Sequence, residues 1–123
     1  MQNWNTETTD KFDRSFGKYE KKHPEELKFV LDNLDTYHGT LNALGHPLNI
    51  KAGFIHSHYP KGIKSIDQKG GQQKTKLRQT RLYIFPDCST KILWHLIIGD
   101  KNSQKQDIKF CVGFVKKLTK KGR

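Results

Sequence analysis

Residues Ile92 to Ile98 form a continuous apolar run, broken only by His95 and stopped by Gly99-Asp100. Such a run is too short for the roughly 18 to 20 residues that cross a bilayer, so it excludes a transmembrane helix. It reads instead as a strand buried on both faces, the centre of a sheet. A chain of 123 residues is long enough for one compact domain and too short for two ordinary ones. Hydrophobic residues are 33% and mean hydropathy is −0.83, low for a globular protein, but 11% aromatic residues argue for a small core rather than disorder. Cys88 and Cys111 lack Cys-x-x-Cys spacing, so neither a disulfide framework nor a zinc knuckle is expected, and both read as free thiols. The start of the chain has neither a basic nor an apolar stretch, and a cytoplasmic location is expected.

From Thr9, apolar residues recur at Phe12, Phe16 and Tyr19, the spacing of a short amphipathic helix capped by Thr9 or Asp10. The helix should end near Lys22, because His23 precedes Pro24. Pro24 suits the first position of a second helix, Glu25 and Glu26 its first turn, and Leu27, Val30, Leu31, Leu34 and Tyr37 its apolar stripe. Gly45 ends it, completing an antiparallel helical hairpin. Residues 45–62 have no period and read as irregular. Gly62 to Asp67 is a short strand, Gln68 to Lys74 a polar loop, Leu77 to Phe85 a strand, and Pro86 to Thr90 a reverse turn. The last segment is ambiguous: Ile108, Cys111, Val112, Val115 and Leu118 fit a helix, whereas Ile108, Phe110, Val112 and Phe114 fit a strand. The expectation is one α+β domain spanning 1–123: the hairpin on one face of a small, mainly antiparallel sheet, a short C-terminal helix, and flexible ends at 1–9 and 119–123. The opposite, basic face is left for function.

Charge is distributed unequally. The net charge is +11 from 23 Lys and Arg against 12 Asp and Glu. Residues 1–60 carry 7 basic and 8 acidic residues (−1), and residues 61–123 carry 16 and 4 (+12). A field of this sign attracts polyanions, either nucleic acid or an acidic protein segment. The Lys116 to Arg123 tail holds only five of the sixteen C-terminal cations, so a solvated tail does not account for the excess.

The order of these segments resembles the RelE/ParE toxin superfamily. Phe16-Gly-Lys-Tyr-Glu-Lys-Lys-His-Pro24 is similar to that family's first helix and turn. Arg81-Leu-Tyr-Ile-Phe is similar to its arginine-containing middle strand, and Ile97-Ile-Gly-Asp-Lys101 to the strand end that opens its active site. The likeness spans roughly residues 10–118. The loop 68–74 departs from the pattern, and no counterpart is assigned to the terminal tyrosine or histidine that many members carry. The resemblance implies ribosome-dependent cleavage of messenger RNA without a cofactor, neutralised by an antitoxin protein. In the ParE branch it implies gyrase inhibition without catalysis. A basic RNA-binding module is the third reading. No membrane partner is expected.

Metal-free RNA cleavage uses the neighbouring 2′-hydroxyl as nucleophile, so a site must remove its proton, stabilise the phosphate and protonate the leaving 5′-oxygen. Arginine suits the phosphate through its planar fork, and lysine can act as a base where like charges or burial lower its pKa. The expected catalytic set is Arg81, Lys101, Lys64, Lys61, Arg78 and His58, with Lys74, Lys76, Gln104 and Lys105 as RNA-binding residues. Each has a plainer alternative. Arg81 could pair with Asp67 or Asp100, and Lys61 and Lys64 could flank a solvent edge. His46, His56 and His58 suggest a metal, with both rings of His56-Ser-His58 on one side of an extended segment. No third ligand stands at a familiar spacing and no carboxylate is adjacent, so proton transfer by His58 is preferred and no metal is expected. His95 reads as a core histidine with a satisfied ring nitrogen. Asp100, Gln104 and Asp107 are expected to shape the loop after the apolar strand or to cap the last helix.

Overall fold

The computed structural model describes residues 3–69 and 80–120. The elements are β1 (Asn5–Thr8), α1 (Asp10–Lys22), α2 (Pro24–Leu44), a 3-10 turn (Pro47–Asn49), β2 (Ile55–His56), a second 3-10 turn (Pro60–Gly62), β3 (Lys64–Asp67), β4 (Thr80–Asp87), β5 (Ile92–Asp100) and α3 (Gln104–Lys120). The strands form one sheet in the order β1-β5-β4-β3-β2, parallel only between β1 and β5. The fold is α+β, as the sequence predicts. No helix among the described residues is long and apolar enough to cross a membrane.

The hairpin forms for the reasons its sequence contains. The Thr9 hydroxyl accepts the Phe12 amide at 3.0 Å and caps α1. Pro24 opens α2, and Gly45, at φ 78, closes it in the left-handed region that glycine enters without cost. Phe12, Tyr19, Leu27, Val30, Leu34, Tyr37 and Leu41 pack onto Ile66, Leu82, Ile84, Leu93 and Ile98 of the sheet.

Three features differ from expectation. The lead-in to Thr9 contains β1, held in register with Ile92 to His95 of β5. β4 continues through Pro86 and Asp87, so the turn begins at Cys88 and ends at Lys91, whose φ is 59. The last segment is the helix expected, but it runs on through Lys120 and packs on the sheet face opposite the hairpin, over Tyr83, Phe85 and Leu96. The face expected to be open is therefore half covered. β5 is buried on both faces as its composition predicts, although β4 holds the middle of the sheet.

Candidate functional site

Side chains alternate across a strand, so register decides which candidates can meet. Across β3, β4 and β5, Asp67 lies opposite Arg81 and Arg81 opposite Gly99; one step away, His56 lies opposite Ser65 and Ser65 opposite Tyr83. Tyr83 belongs to the core beneath α3, so this whole set shares the α3 side. α3 covers β4 and β5 there, and the segment 57–62 covers the margin beside β3 through Tyr59.

Tyr59 joins the parts. Its buried hydroxyl lies 3.0 Å from Ser65 Oγ and accepts a 3.0 Å hydrogen bond from Arg81 Nη1. Its ring packs edge-on against Tyr83, with centroids 5.5 Å apart, and carries the His58 ring at 4.2 Å. Arg81 is half-buried, and among the described residues no carboxylate lies within ion-pair distance of it and its Nε is buried without a partner. The expected alternative of an Arg81 pair with Asp67 or Asp100 is not what forms. Asp67, 1% exposed, instead turns its carboxylate to His56 Nε2 at 2.7 Å and to the Lys69 amide at 2.8 Å.

The remaining candidates divide. His58 and Lys61 are exposed on the same segment as Tyr59, Lys61 with a positive φ of 62. Lys101, Gln104 and Lys105 stand at the β5 to α3 junction, at the sheet end where Thr80 pairs with Asp100. Lys64 is set apart from Arg81 by the register. It pairs with Ile84, a residue of the hairpin core, and so projects from the other face, where its ammonium donates to Ser57 Oγ at 3.0 Å. Its pKa is held below the ordinary lysine value, through burial rather than through a cluster of cations. Arg78, Lys74 and Lys76 lie outside the described residues.

The histidines also separate. His56 and His58 stand edge to face with ring centres 6.3 Å apart, whereas His46 lies elsewhere, with Nε2 3.6 Å from Cys88 Sγ. No group of three metal-binding side chains occurs among the described residues. The carboxylate partner thought missing is Asp67, eleven positions beyond His56. Sequence reasoning overlooked Tyr59 and Ser65, and offered Asp67 only as a partner for Arg81. The period of two that places Ser65 and Asp67 on one face of β3 was the signal available.

At the end of β5 a cleft of about 410 Å³ is lined by Lys18, Tyr19, Gly99, Asp100, Ser103 and Asp107. Asp100 Oδ1 accepts the amides of Asn102 and Ser103 and shapes the loop, as expected. Asp107 lies within the first turn of α3 rather than at its cap, accepts the Ser103 hydroxyl at 2.6 Å, and has its pKa raised by burial. A methyl group on Gly99 would fall on the Asp107 carboxylate and the Ser103 hydroxyl, so a larger residue there would displace both side chains. His95 faces Phe12, with ring centres 5.3 Å apart; its Nε2 has no partner among the described residues, contrary to the satisfied ring expected, and burial lowers its pKa to about 4.

Compared with known proteins, the chain matches no family model, no curated protein and no solved structure.

Proposed function

We propose that the protein is a RelE-like toxin: a metal-independent endoribonuclease that cuts messenger RNA on the ribosome, acts in the cytoplasm and is neutralised by an acidic or amphipathic antitoxin. The observation that carries this reading is Arg81, a half-buried arginine without a counter-ion among the described residues, held by one hydrogen bond that it donates to the Tyr59 hydroxyl. Burying a guanidinium without an anion is costly, and the natural compensation is an anionic ligand such as phosphate. Its fork can donate two parallel hydrogen bonds to a phosphodiester whose negative charge grows as the 2′-oxygen attacks. His58 and Lys61, exposed on the segment that carries Tyr59, and Lys101 and Lys105, exposed at the junction of β5 and α3, supply further cationic groups for a strand. Further support comes from the element order after β1, a helical hairpin, then antiparallel strands and a short C-terminal element, which resembles that of the RelE/ParE superfamily.

Induction of the chain alone tests the proposal. Growth should stop, and translated messages should be cut while untranslated copies of the same RNA are spared. Arrest with intact messages would assign the gyrase-inhibiting branch instead. RNA binding with neither arrest nor cleavage would leave the plain binding module.

A further inference from the structure

We infer that His56 and His58 are the acid and base of this reaction and that Asp67 is the positioning residue that sets the tautomer of His56; the inference rests on the endoribonuclease reading above. β2 is only two residues long, yet it fixes His56 opposite Ser65 on the same side of the sheet as Arg81. The Asp67 carboxylate is buried and held by the Lys69 amide on Oδ1 and by His56 Nε2 on Oδ2, with Lys69 Nζ 4.0 Å from Oδ2. A neutral imidazole has one N–H. Donated to Asp67, it leaves the lone pair of Nδ1, which has no hydrogen bond among the described residues, as a proton acceptor. His58 is placed differently. It is exposed, has no carboxylate partner among the described residues, and lies against the ring whose hydroxyl holds Arg81. The two imidazoles, 6.3 Å apart, can reach opposite sides of one phosphodiester.

The step then balances. His56 Nδ1 takes the 2′-hydroxyl proton as the O2′–P bond forms. Protonated His58 gives its proton to the 5′-oxygen as the P–O5′ bond breaks. A 2′,3′-cyclic phosphate and a 5′-hydroxyl result, and solvent returns each ring to its starting state. Arg81 neutralises the charge that accumulates on the non-bridging oxygens.

Leaving-group chemistry separates the two roles. The full-length protein is mixed in single turnover with translating ribosomes carrying a synthetic message whose scissile 5′-oxygen is either ordinary or replaced by sulfur, which departs without an acid. On the ordinary message, His58→Ala and His56→Ala should each lose about 10²- to 10⁴-fold in rate. On the sulfur message, His58→Ala should return to near the wild-type rate and His56→Ala should not. Asp67→Asn should behave as His56→Ala, slowed on both messages, because the amide can donate to His56 and favour the wrong tautomer. His56→Gln, which keeps an N–H for Asp67 and so spares the fold, should be as slow as His56→Ala. Wild-type protein that cuts nothing overturns the endoribonuclease reading and this inference together. Cleavage that depends on Arg81 but is unchanged in both histidine variants, or a sulfur message that rescues neither, overturns this inference alone.

Discussion

Arg81 is available to a ligand because its neighbours are already engaged: Asp67 across β3 is taken by His56, and Tyr59 binds only one guanidinium nitrogen. Arg81→Ala should therefore lower cleavage by roughly two to three orders of magnitude, the scale for losing one donor to a developing oxyanion. Arg81→Lys should recover little of it, since an ammonium lacks the planar fork. Lys64→Ala, on the opposite face, should leave the cleavage rate unchanged; if it matches Arg81→Ala in an RNA cleavage assay, the assignment of faces is wrong. His95 supplies a test on stability instead. Burial holds its folded pKa at about 4 against an ordinary value of 6.5, so between those values the unfolded chain binds a proton that the folded chain refuses. Stability is full above about pH 6.5 and falls as pH drops through 4, by roughly 3 kcal/mol in total. Asp107, with its raised pKa, acts in the opposite sense, losing stability as pH rises. Comparing urea melts of wild type and His95→Leu at pH 7 and pH 4.5 isolates the histidine. Equal losses in both proteins would show that His95 does not cause the decline.

The helical hairpin was legible at the level of elements because period, cap and breaker agree there: Phe12 and Tyr19 on one face, Thr9 at the start, His23-Pro24 at the junction and Gly45 at the end. β1 was not legible, since Asn5, Thr6, Glu7 and Thr8 are all exposed and show no apolar alternation. It exists because β5 offers it backbone partners and because Trp4, 3% exposed, is buried in the hairpin core. The Trp4 amide donates to Asn42 Oδ1 at 2.7 Å, and the Trp4 carbonyl is met by His38 Nε2 at 2.7 Å. Trp4→Ala should cost about 3 to 5 kcal/mol, the usual toll of emptying a large aromatic site, and should release β1 in amide exchange before the rest of the sheet. α3 illustrates a different limit. Cys111 and Val115, four apart, and Phe110, Val112 and Phe114, alternating, leave helix and strand balanced until the sheet supplies Tyr83, Phe85 and Leu96 as a surface to cover. The site was legible in its types of residue and not in its arrangement. Arg81 and His58 carried their chemistry in their identity, whereas nothing local in Gly62 to Asp67 fixes which side of the strand meets the hairpin, and Lys64 stands on the hairpin side.

For the molecule as a whole, the separation of charge is the most consequential fact, because residues 61–123 hold +12 against −1 in residues 1–60. Each phosphate neutralised on single-stranded RNA releases condensed counterions, so about four contacts would give a log-log slope of affinity against salt near −3. Two origins of that slope can be told apart. Truncation after Leu118 removes Lys120, Lys121 and Arg123, three cations beyond the described packing of α3 on the sheet. If the tail bound RNA, the slope would shrink by about 2 in the truncated chain, the share of three single-stranded phosphate contacts. With Arg81 and its neighbours as the seat, most of the slope survives truncation, and Arg81→Ala in the full chain reduces it by about the 0.7 that one single-stranded phosphate contact contributes. Titrating a fluorescent RNA at several salt concentrations against wild type, the truncation and Arg81→Ala measures all three slopes. Truncation and Arg81→Ala should be nearly additive, since a tail that acts through the general field and an arginine that binds one phosphate share no partner. A truncated chain whose slope has shrunk by about 2 would remove the sheet face as the main site of binding.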